Sequence, residues 1–351
     1  MASEYFVKFE GSLKVKPWWA DNNHIVFTEQ VELPINVKDP PITKIKGTVS
    51  LVENDEAFIV SGRDFKATIS KEDGLMESYI LNGSELVLSP LKPNFWRSET
   101  ENDEAYRRTK NQENERDWMN AGNDFKLNEI FVQALKESNL VTITAIGEIA
   151  SMKSRIELVY DIYANGYIKV NYSLKTDINV PNIPKIGMQF DAPGSCDQIL
   201  YYGKGPQANY SDRKSAAEIG FYKSNVYEFD YMYVKPQENG NRSETRWFKL
   251  QNRLGRGFLI KGEQPINFSI SPYSTINVEQ AQHTNELTER NELTVNIDLV
   301  QMGVGGDNTW SFRAEPHEQY RIKPGTYSYS FYMIPLLNFK DAANPEKIVL
   351  K

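Results

Sequence analysis

The chain is poor in the residues that build redox, metal and nucleophilic sites. Its 351 residues include one cysteine, Cys196, and three histidines, His24, His283 and His317. A single cysteine excludes an internal disulfide framework and a cysteine-based metal site. No histidine has a serine or cysteine in a nucleophile-elbow setting, and the P-loop and His-Glu-x-x-His motifs are absent. We therefore expect this chain to bind no metal and no cofactor.

An excess of basic charge and long apolar runs are also missing. Forty Lys and Arg stand against 47 Asp and Glu, for a formal net charge of −7, so the basic footprint of a nucleic-acid-binding protein is absent. No run approaches the ~18 apolar residues of a membrane span. The first residues, Met-Ala-Ser-Glu-Tyr-Phe-Val-Lys, lack the basic-then-apolar pattern of a secretory signal. Nucleic acid and membrane are not expected partners, and bacterial cytoplasm and periplasm both stay open.

What the sequence does contain predicts strands. Apolar and polar residues alternate in segments 155–162, 168–174, 293–299 and 327–333, which is typical of half-buried antiparallel strands. Turn signals such as Asn-Gly, Asp-Gly and Pro-Gly recur between such segments, and aromatic residues make up 12% of the chain. The best helical candidate is short, residues 114–121 with a glycine as C-cap. We predict an all-β protein, a large two-layer antiparallel sandwich.

A double proline at 40–41 suggests a domain boundary, because it cannot continue a central strand. Two strand-like stretches, residues 5–15 and 24–33, come before it, and two strands are too few to be stable alone in water. We therefore predict that residues 1–40 are the remnant of a sandwich whose other strands are missing, which favours a fragment over a natural subunit. Residues 41–351 are predicted to form one large sandwich.

The acidic residues do not identify a catalytic pair. Glycosidases use two carboxylates about 5–9.5 Å apart, and 47 acidic residues will always supply some pair at such a distance. The densest cluster, residues 99–104, is interpreted as a solvated loop with one residue as a helix cap. The string Gly303-Val-Gly-Gly-Asp307 lacks the third glycine of a dinucleotide fingerprint, and no crossover helix follows it. It is interpreted as a glycine-rich loop between strands.

Four segments differ from ordinary strands: 93–103, 203–213, 233–242 and 303–311. Each is rich in Gly, Asn, Pro and a few charges. Asn and Gly allow tight backbone turns, Asp, Arg and Asn give directional hydrogen bonds, and aromatic rings provide flat surfaces. Such loops suit either sugar contacts or docking between domains, and composition alone leaves both open.

In this order, these segments resemble the C-terminal sandwich of bacterial family-2 β-galactosidases and the small chain of two-subunit β-galactosidases. The resemblance covers about residues 48–340. The matching strings are Asn94-Phe-Trp-Arg97 with Asn102-Asp103, Gly203-x-Gly-Pro-Gln207 with Asn209-Tyr-x-Asp-Arg213, Tyr233-Val-x-Pro-x-Glu-Asn-Gly240, His283 with Glu286-Leu287, and Met302-Gly-Val-Gly-Gly-Asp-Asn-x-Trp-Ser311. Residues 1–35 resemble the closing strands of the immunoglobulin-like domain that precedes this sandwich.

The resemblance implies a galactose-mutarotase-like topology and catalytic glutamates on a separate TIM barrel. No alternating βαβ pattern of a barrel occurs in this chain, so we expect no catalytic residue here. Magnesium and sodium are expected at that catalytic domain, not in this chain. The implied partners are a β-galactoside sugar and the barrel domain or large subunit, in a full enzyme that forms a homo-oligomer.

The resemblance also implies roles for particular residues. Trp310 is expected to stack on the leaving or accepting sugar, and Asp307, Asn102 and Asp103 are the other substrate-binding candidates. Ala105 replaces a glycine of the family pattern, which puts a hinge near Asn102 in doubt. The residues expected to be structural are Trp96, Arg97, Gly205, Pro206, Glu238, Asn239, Gly240 and His283. Glu238 is expected to be a buried carboxylate that accepts hydrogen bonds from backbone amides.

The expected function is therefore the C-terminal portion of a β-galactosidase, which completes the sugar subsite and an assembly surface and is inactive alone. Two alternatives remain open, a stand-alone carbohydrate-binding module and a purely structural assembly domain. An aldose epimerase is less favoured, because no histidine lies in the setting that its histidine base requires.

Overall fold

A computed structural model of the chain describes residues 4–35, 40–110, 113–134 and 139–349. The chain divides into two units, Met1–Thr43 with Asn344–Lys351, and Lys44–Ala343. Part of the predicted linker, residues 36–39, lies outside the described residues. The predicted domain limits at 40 and 41 stay a prediction.

The smaller unit contains one antiparallel hairpin. Strand β1, Tyr5–Ser12, pairs with β2, Ile25–Leu33, with a bulge where β1 ends. A short 3₁₀ turn, Pro345–Lys347, lies near the other end of the chain, and Thr43 N–H donates to the carbonyl of Val349 at 2.7 Å. No strand residue of this hairpin is buried within the described chain. The hairpin itself was predicted, and its immunoglobulin-like origin stays a prediction.

The larger unit begins with a five-stranded antiparallel meander. The turn between its last two strands is Asn82-Gly83, and both residues have positive φ, 48° and 77°. An Asn-Gly pair tolerates that conformation, which matches the twist of a two-residue hairpin. The strands are β3 Ser50–Glu53, β4 Ala57–Ser61, β5 Phe65–Ser70, β6 Met76–Leu81 and β7 Ser84–Glu85.

The second sheet of this unit has 12 strands, and its longest strand is shared between two branches. The strands are β8 Lys92–Asn94, β9 Phe125–Ala134, β10 Leu140–Ile149, β11 Ser154–Tyr163, β12 Ile168–Lys175, β13 Lys185–Pro193, β14 Gln198–Gly205, β15 Glu218–Asn225, β16 Arg242–Gln251, β17 Gly257–Ser271, β18 Glu292–Gln301 and β19 Thr326–Leu336. The first half of β17 pairs with β19, which continues to β12, β11, β10 and β9. Its second half pairs with β18, which continues to β13 and β8.

The two branches share one hydrophobic core. The Tyr329 hydroxyl on β19 donates to the carbonyl of Ile297 on β18 at 2.7 Å, and both residues are buried in that core. Aromatic rings fill it, with Phe248 stacked on Phe268 at 4.2 Å between centroids. Every ladder between the described strands is antiparallel. The predicted all-β antiparallel fold is confirmed.

The acidic segment predicted as a solvated loop instead begins the longest helix of the described residues. Helix α1, Glu101–Lys110, starts after Thr100 with acidic residues in its first turn and ends with basic residues in its last, which suits the helix dipole. The predicted helix at 114–121 is a 3₁₀ turn, Glu113–Met119. Helix α2 is Thr275–Gln280, and the other 3₁₀ turns are Ala150–Met152, Val226–Glu228, Thr284–Glu286, Phe312–Ala314 and Glu318–Tyr320. Among the described residues, no helix has the length and apolar character to cross a membrane.

Candidate functional site

Arg97 connects the first and fourth of the predicted loops. Its guanidinium is buried and donates to the carbonyls of Met302 and Gly303, at 2.6 and 2.7 Å. The same group donates to Asp103 Oδ1 at 3.0 Å, so its charge is paired inside the protein. A planar guanidinium suits this arrangement, because it presents several donors in one rigid plane. These hydrogen bonds therefore fix the backbone where loop 303–311 begins.

The start of helix α1 supplies the second anchor. Thr100 N–H donates to Asp103 Oδ2 at 3.0 Å and Asp103 N–H donates to Thr100 Oγ1 at 3.1 Å, which is the reciprocal pattern of a capping box. That cap places Asp103 against Arg97. On the preceding residue, Asn102 Nδ2 donates to the carbonyls of Asn308 and Ala314, both at 3.0 Å.

Asp212, from the second predicted loop, holds the glycine-rich stretch. Its Oδ2 accepts hydrogen bonds from Val304 N–H at 2.8 Å and Gly305 N–H at 2.9 Å. The glycines fit because there is no space for a side chain. A Cβ on Gly303 would lie 2.6 Å from Asp212 Oδ2, and one on Gly306 would lie 2.3 Å from the carbonyl oxygen of Arg313. Packing against the backbone thus requires glycine at Gly306, and a side chain at Gly303 would displace the Asp212 carboxylate.

The C-terminal end of the same loop is held by hydrogen bonds but is exposed. Asn308 Oδ1 accepts hydrogen bonds from the backbone N–H groups of Trp310 and Ser311, both at 3.1 Å. The Trp310 side chain nevertheless remains 76% exposed. Asp307 Oδ1 lies 2.8 Å from His317 Nε2, and this pair is exposed too. The loop therefore presents an indole ring and a carboxylate–imidazole pair to its surroundings.

The third predicted loop surrounds a buried carboxyl group. Glu238 Oε1 accepts hydrogen bonds from the Tyr210 hydroxyl at 3.2 Å and from Gln301 Nε2 at 3.5 Å, and burial raises the pKa of Glu238. Its donors in the described structure are therefore side chains, and the expectation of backbone amide donors was wrong. Gly240 has φ of +82°, and a Cβ there would lie 2.2 Å from Asp230 Oδ1, so this position requires glycine.

A buried pair from two core strands lies next to this carboxyl group. Lys185 Nζ on β13 is 3.5 Å from Asp298 Oδ2 on β18, and both side chains are almost fully buried. Burial raises the pKa of Asp298 to about 7. Gln301 donates to both Asp298 and Glu238, which joins the two carboxyl groups in one network. Sequence reasoning missed Lys185 and Asp298, because charged residues in alternating strands are ordinary on an exposed face.

The other predicted residues fall into different surroundings. Trp96 is buried, and the guanidinium of Arg116 lies over its ring at 5.6 Å. Asn239 Oδ1 accepts a hydrogen bond from Tyr231 N–H at 2.9 Å, which links the two ends of segment 231–239. The Gly205–Pro206 peptide bond is cis. His283 is exposed and its Nδ1 lies 2.9 Å from Glu286 Oε1. No three His, Cys, Asp or Glu of the described residues are grouped so as to hold a metal ion.

Two of the predicted substrate-binding residues lie at a different depth from the other two. Asn102 and Asp103 are only 8% and 6% exposed, and both are engaged in holding the loop. Trp310 and Asp307 lie on the exposed face of that loop. Ala105, where the resembled pattern has glycine, lies inside α1, where alanine is the better helix former. Asn102 and Asp103 therefore belong to the buried base of loop 303–311, and Trp310 and Asp307 form its exposed tip.

Comparison with known proteins identifies the family. Residues 61–333 match the family described as beta galactosidase small chain. The chain belongs to the β-galactosidase small-chain family. A β-galactosidase from Priestia megaterium is 32% identical over 91% of this chain, and one from Pseudoalteromonas haloplanktis is 28% identical over 93%. The chain spans only 30% and 32% of the lengths of these relatives.

Solved structures give a more distant likeness. A putative aldose 1-epimerase from Escherichia coli K12 covers 83% of this chain and 99% of its own, with 8% identity and a TM-score of 0.42. A galactose 1-epimerase from Lactobacillus acidophilus covers 83% of this chain, with 7% identity and a TM-score of 0.41. Likeness at this level does not bear on activity.

Proposed function

We propose that this chain is the C-terminal portion of a family-2 β-galactosidase and that it completes the sugar site of that enzyme. The relatives that carry the name β-galactosidase are about three times as long as the matched region, which leaves room for a catalytic domain. The single observation that supports a sugar-contact role is Trp310, a 76% exposed indole on a loop with buried anchors.

Stacking on an exposed ring and a well-anchored loop both favour a sugar contact. A sugar ring presents a face of C–H groups, which packs against the flat face of an aromatic ring. A stacked ring is worth about 1–3 kcal/mol, by analogy with bases stacked on aromatic side chains. Because the loop is already held by Arg97, Asn102 and Asp212, little ordering free energy is lost on binding. Asp307 on the same loop supplies an acceptor for sugar hydroxyl groups.

Catalysis belongs, in this proposal, to a TIM-barrel domain or large subunit that this chain does not include. That domain would supply the two carboxylates of a glycosidase and would hold magnesium and sodium. The chain alone is then inactive, and its partners are the barrel and a β-galactoside. The full enzyme would be a homo-oligomer.

The test is Trp310→Ala in the full-length enzyme. We expect galactosyl transfer to an acceptor sugar to fall about tenfold relative to transfer to water, because the stacked acceptor is lost. Phe221→Ala is the matched control, since Phe221 is another exposed aromatic residue, 71% exposed, on strand β15. The control is expected to leave the partition between acceptor and water unchanged.

Two results would contradict the proposal. An unchanged partition in Trp310→Ala would make the loop a structural or docking element. Robust hydrolysis of nitrophenyl galactoside by this chain alone would place catalytic residues in it. Galactoside binding by the chain alone that weakens in Trp310→Ala would instead support the alternative of a stand-alone carbohydrate-binding module.

A further inference from the structure

One branch of the large sheet has an apolar face and a polar face. On β13, Met188 and Phe190 point into the hydrophobic core. The alternate residues Gln189 and Asp191 point to the opposite face, because side chains alternate along a strand. Their register partners on neighbouring strands share that face. These partners are Lys92 on β8, Asn296 and Thr294 on β18, and next to them Ser269 and Ser271 on β17.

This polar face is not simply a solvated surface. Thr294, Asn296 and Ser269 are less than 9% exposed. A cavity of about 210 Å³ lies over part of it, between the strands, the turn at residues 119–123 and the beginning of α2. The volume is below the roughly 300–1,000 Å³ of pockets for drug-sized ligands and suits one sugar ring. The residues that line the cavity include Asn94, Trp96, Gln189, Asp191, Arg290 and Thr294.

The charged groups of the cavity are already paired. Arg290 Nη2 donates to Asp191 Oδ1 at 2.9 Å and also to the Thr294 hydroxyl. Lys92 Nζ donates to Asn123 Oδ1 at 2.6 Å. What the cavity offers a ligand is therefore neutral amide and hydroxyl groups beside an indole, with a paired carboxylate and guanidinium at the side.

Several polar atoms around the cavity have no partner in the described structure. Trp96 Nε1 and Arg290 Nε are buried and lack a hydrogen-bond partner among the described residues. Gln189 uses its Nε2 to donate to Asn296 Oδ1 at 3.0 Å, and its Oε1 accepts no hydrogen bond from the described residues. Trp96 Nε1 and Arg290 Nε expose almost no surface, so a ligand in the cavity does not reach them, whereas Gln189 Oε1 is an acceptor that the protein leaves unused.

We propose that this cavity binds one neutral sugar ring. Side chains of Asn, Gln and Thr both donate and accept, as do sugar hydroxyl groups, and Trp96 adds the aromatic surface. None of the lining residues belongs to loop 303–311, so the site is distinct from the Trp310 contact and goes beyond the proposed function. A neutral ring is favoured over an anion because both cations have partners: the Arg290 guanidinium is paired with Asp191, and the Lys92 ammonium donates to Asn123.

The experiment uses the purified chain with D-galactose and D-glucose as probes, followed by NMR of the tryptophan indole N–H groups. We expect the Trp96 resonance to shift on titration while the Trp310 resonance stays in place, with Trp96→Phe and Trp310→Ala used to assign the two signals. Gln189→Met keeps the side-chain length and removes the amide. It is expected to weaken binding about tenfold, and Phe221→Ala, on strand β15 and outside the cavity, to leave it unchanged.

A second variant guards against misfolding. Asp191→Asn keeps the side-chain shape and is expected to weaken binding too, because the neutral amide no longer holds Arg290 in place. No shift of Trp96 at saturating concentrations of either sugar would overturn the proposal. So would binding that is as tight in Gln189→Met as in the wild type, or tighter binding of D-galacturonate than of D-galactose. None of these results depends on the transfer assay of the full-length enzyme, so the two proposals fail separately.

Discussion

The base and the tip of loop 303–311 are built in opposite ways. At the base, Arg97, Asp103 and Asn102 are buried and hydrogen-bonded. At the tip, Trp310 and Asp307 belong to the same short loop but are largely exposed. Two motifs that are about 200 residues apart therefore contribute residues of different kinds to one loop. Those at the base determine where the loop is, and those at the tip are available to a ligand.

This difference in burial divides the four predicted substrate-binding residues into two pairs. Asn102 and Asp103 were predicted to contact substrate together with Trp310. Their burial places them under the loop, where they position its backbone. A buried polar group that is fully hydrogen-bonded rigidifies its surroundings. We therefore expect substitutions at the base to change stability, and substitutions at the tip to change sugar contacts.

The largest effect is expected from Asp103→Ala. The change leaves the guanidinium of Arg97 buried without its hydrogen-bonded partner and removes the capping box of α1. Breaking a buried ion pair costs about 3–5 kcal/mol, and we expect the free energy of unfolding to fall by that amount in urea denaturation. The control is Arg108→Ala, whose exposed pair with Glu104 is worth less than about 1 kcal/mol. Equal effects of the two would contradict the buried-base assignment.

An intermediate effect is expected from pH acting on Asp298. Its ordinary pKa is 3.8, and burial raises the pKa in the folded protein to about 7. Between these values the folded state holds a proton that the unfolded state has released, so the free energy of unfolding falls as pH rises and levels off above 7. The fall from pH 5 to pH 8 should be about 2–3 kcal/mol.

The measurement is urea denaturation of the wild type and Asp298→Asn across that pH range. The variant cannot ionise at this position and should lose about half of the slope. The rest is expected from Asp230, whose pKa burial also raises to about 7. Asp64→Asn serves as the control, because the Asp64 side chain is 48% exposed. An unchanged slope in Asp298→Asn would assign the titration to other groups.

The smallest effect on stability is expected from Trp310→Ala. An exposed side chain gives up little packing when it is truncated, so the free energy of unfolding should change by less than about 0.5 kcal/mol. Thermal denaturation of the two proteins would measure it. A loss of about 2 kcal/mol or more would mean that Trp310 is a packing residue, and the contrast between base and tip would disappear.

Much of the fold was predictable because its signals are local. Alternation in β11, β12, β18 and β19 matches the observed strands, and Asn82-Gly83 marks the turn between β6 and β7. The error at α1 has a local cause too. Thr100 and Asp103 form a capping box, a signal that was present in the sequence but was outweighed by the density of charge around it.

The sequence by itself determined the strand pattern, the turns and the four unusual segments, since these depend on residues close together along the chain. Only the tertiary structure decided which polar residues are buried and what they hold. Arg97 and its acceptor Met302 are 205 residues apart, and Lys185 and Asp298 lie on strands joined only by the folded sheet. Burial of a charge depends on such distant partners, and no local pattern records them.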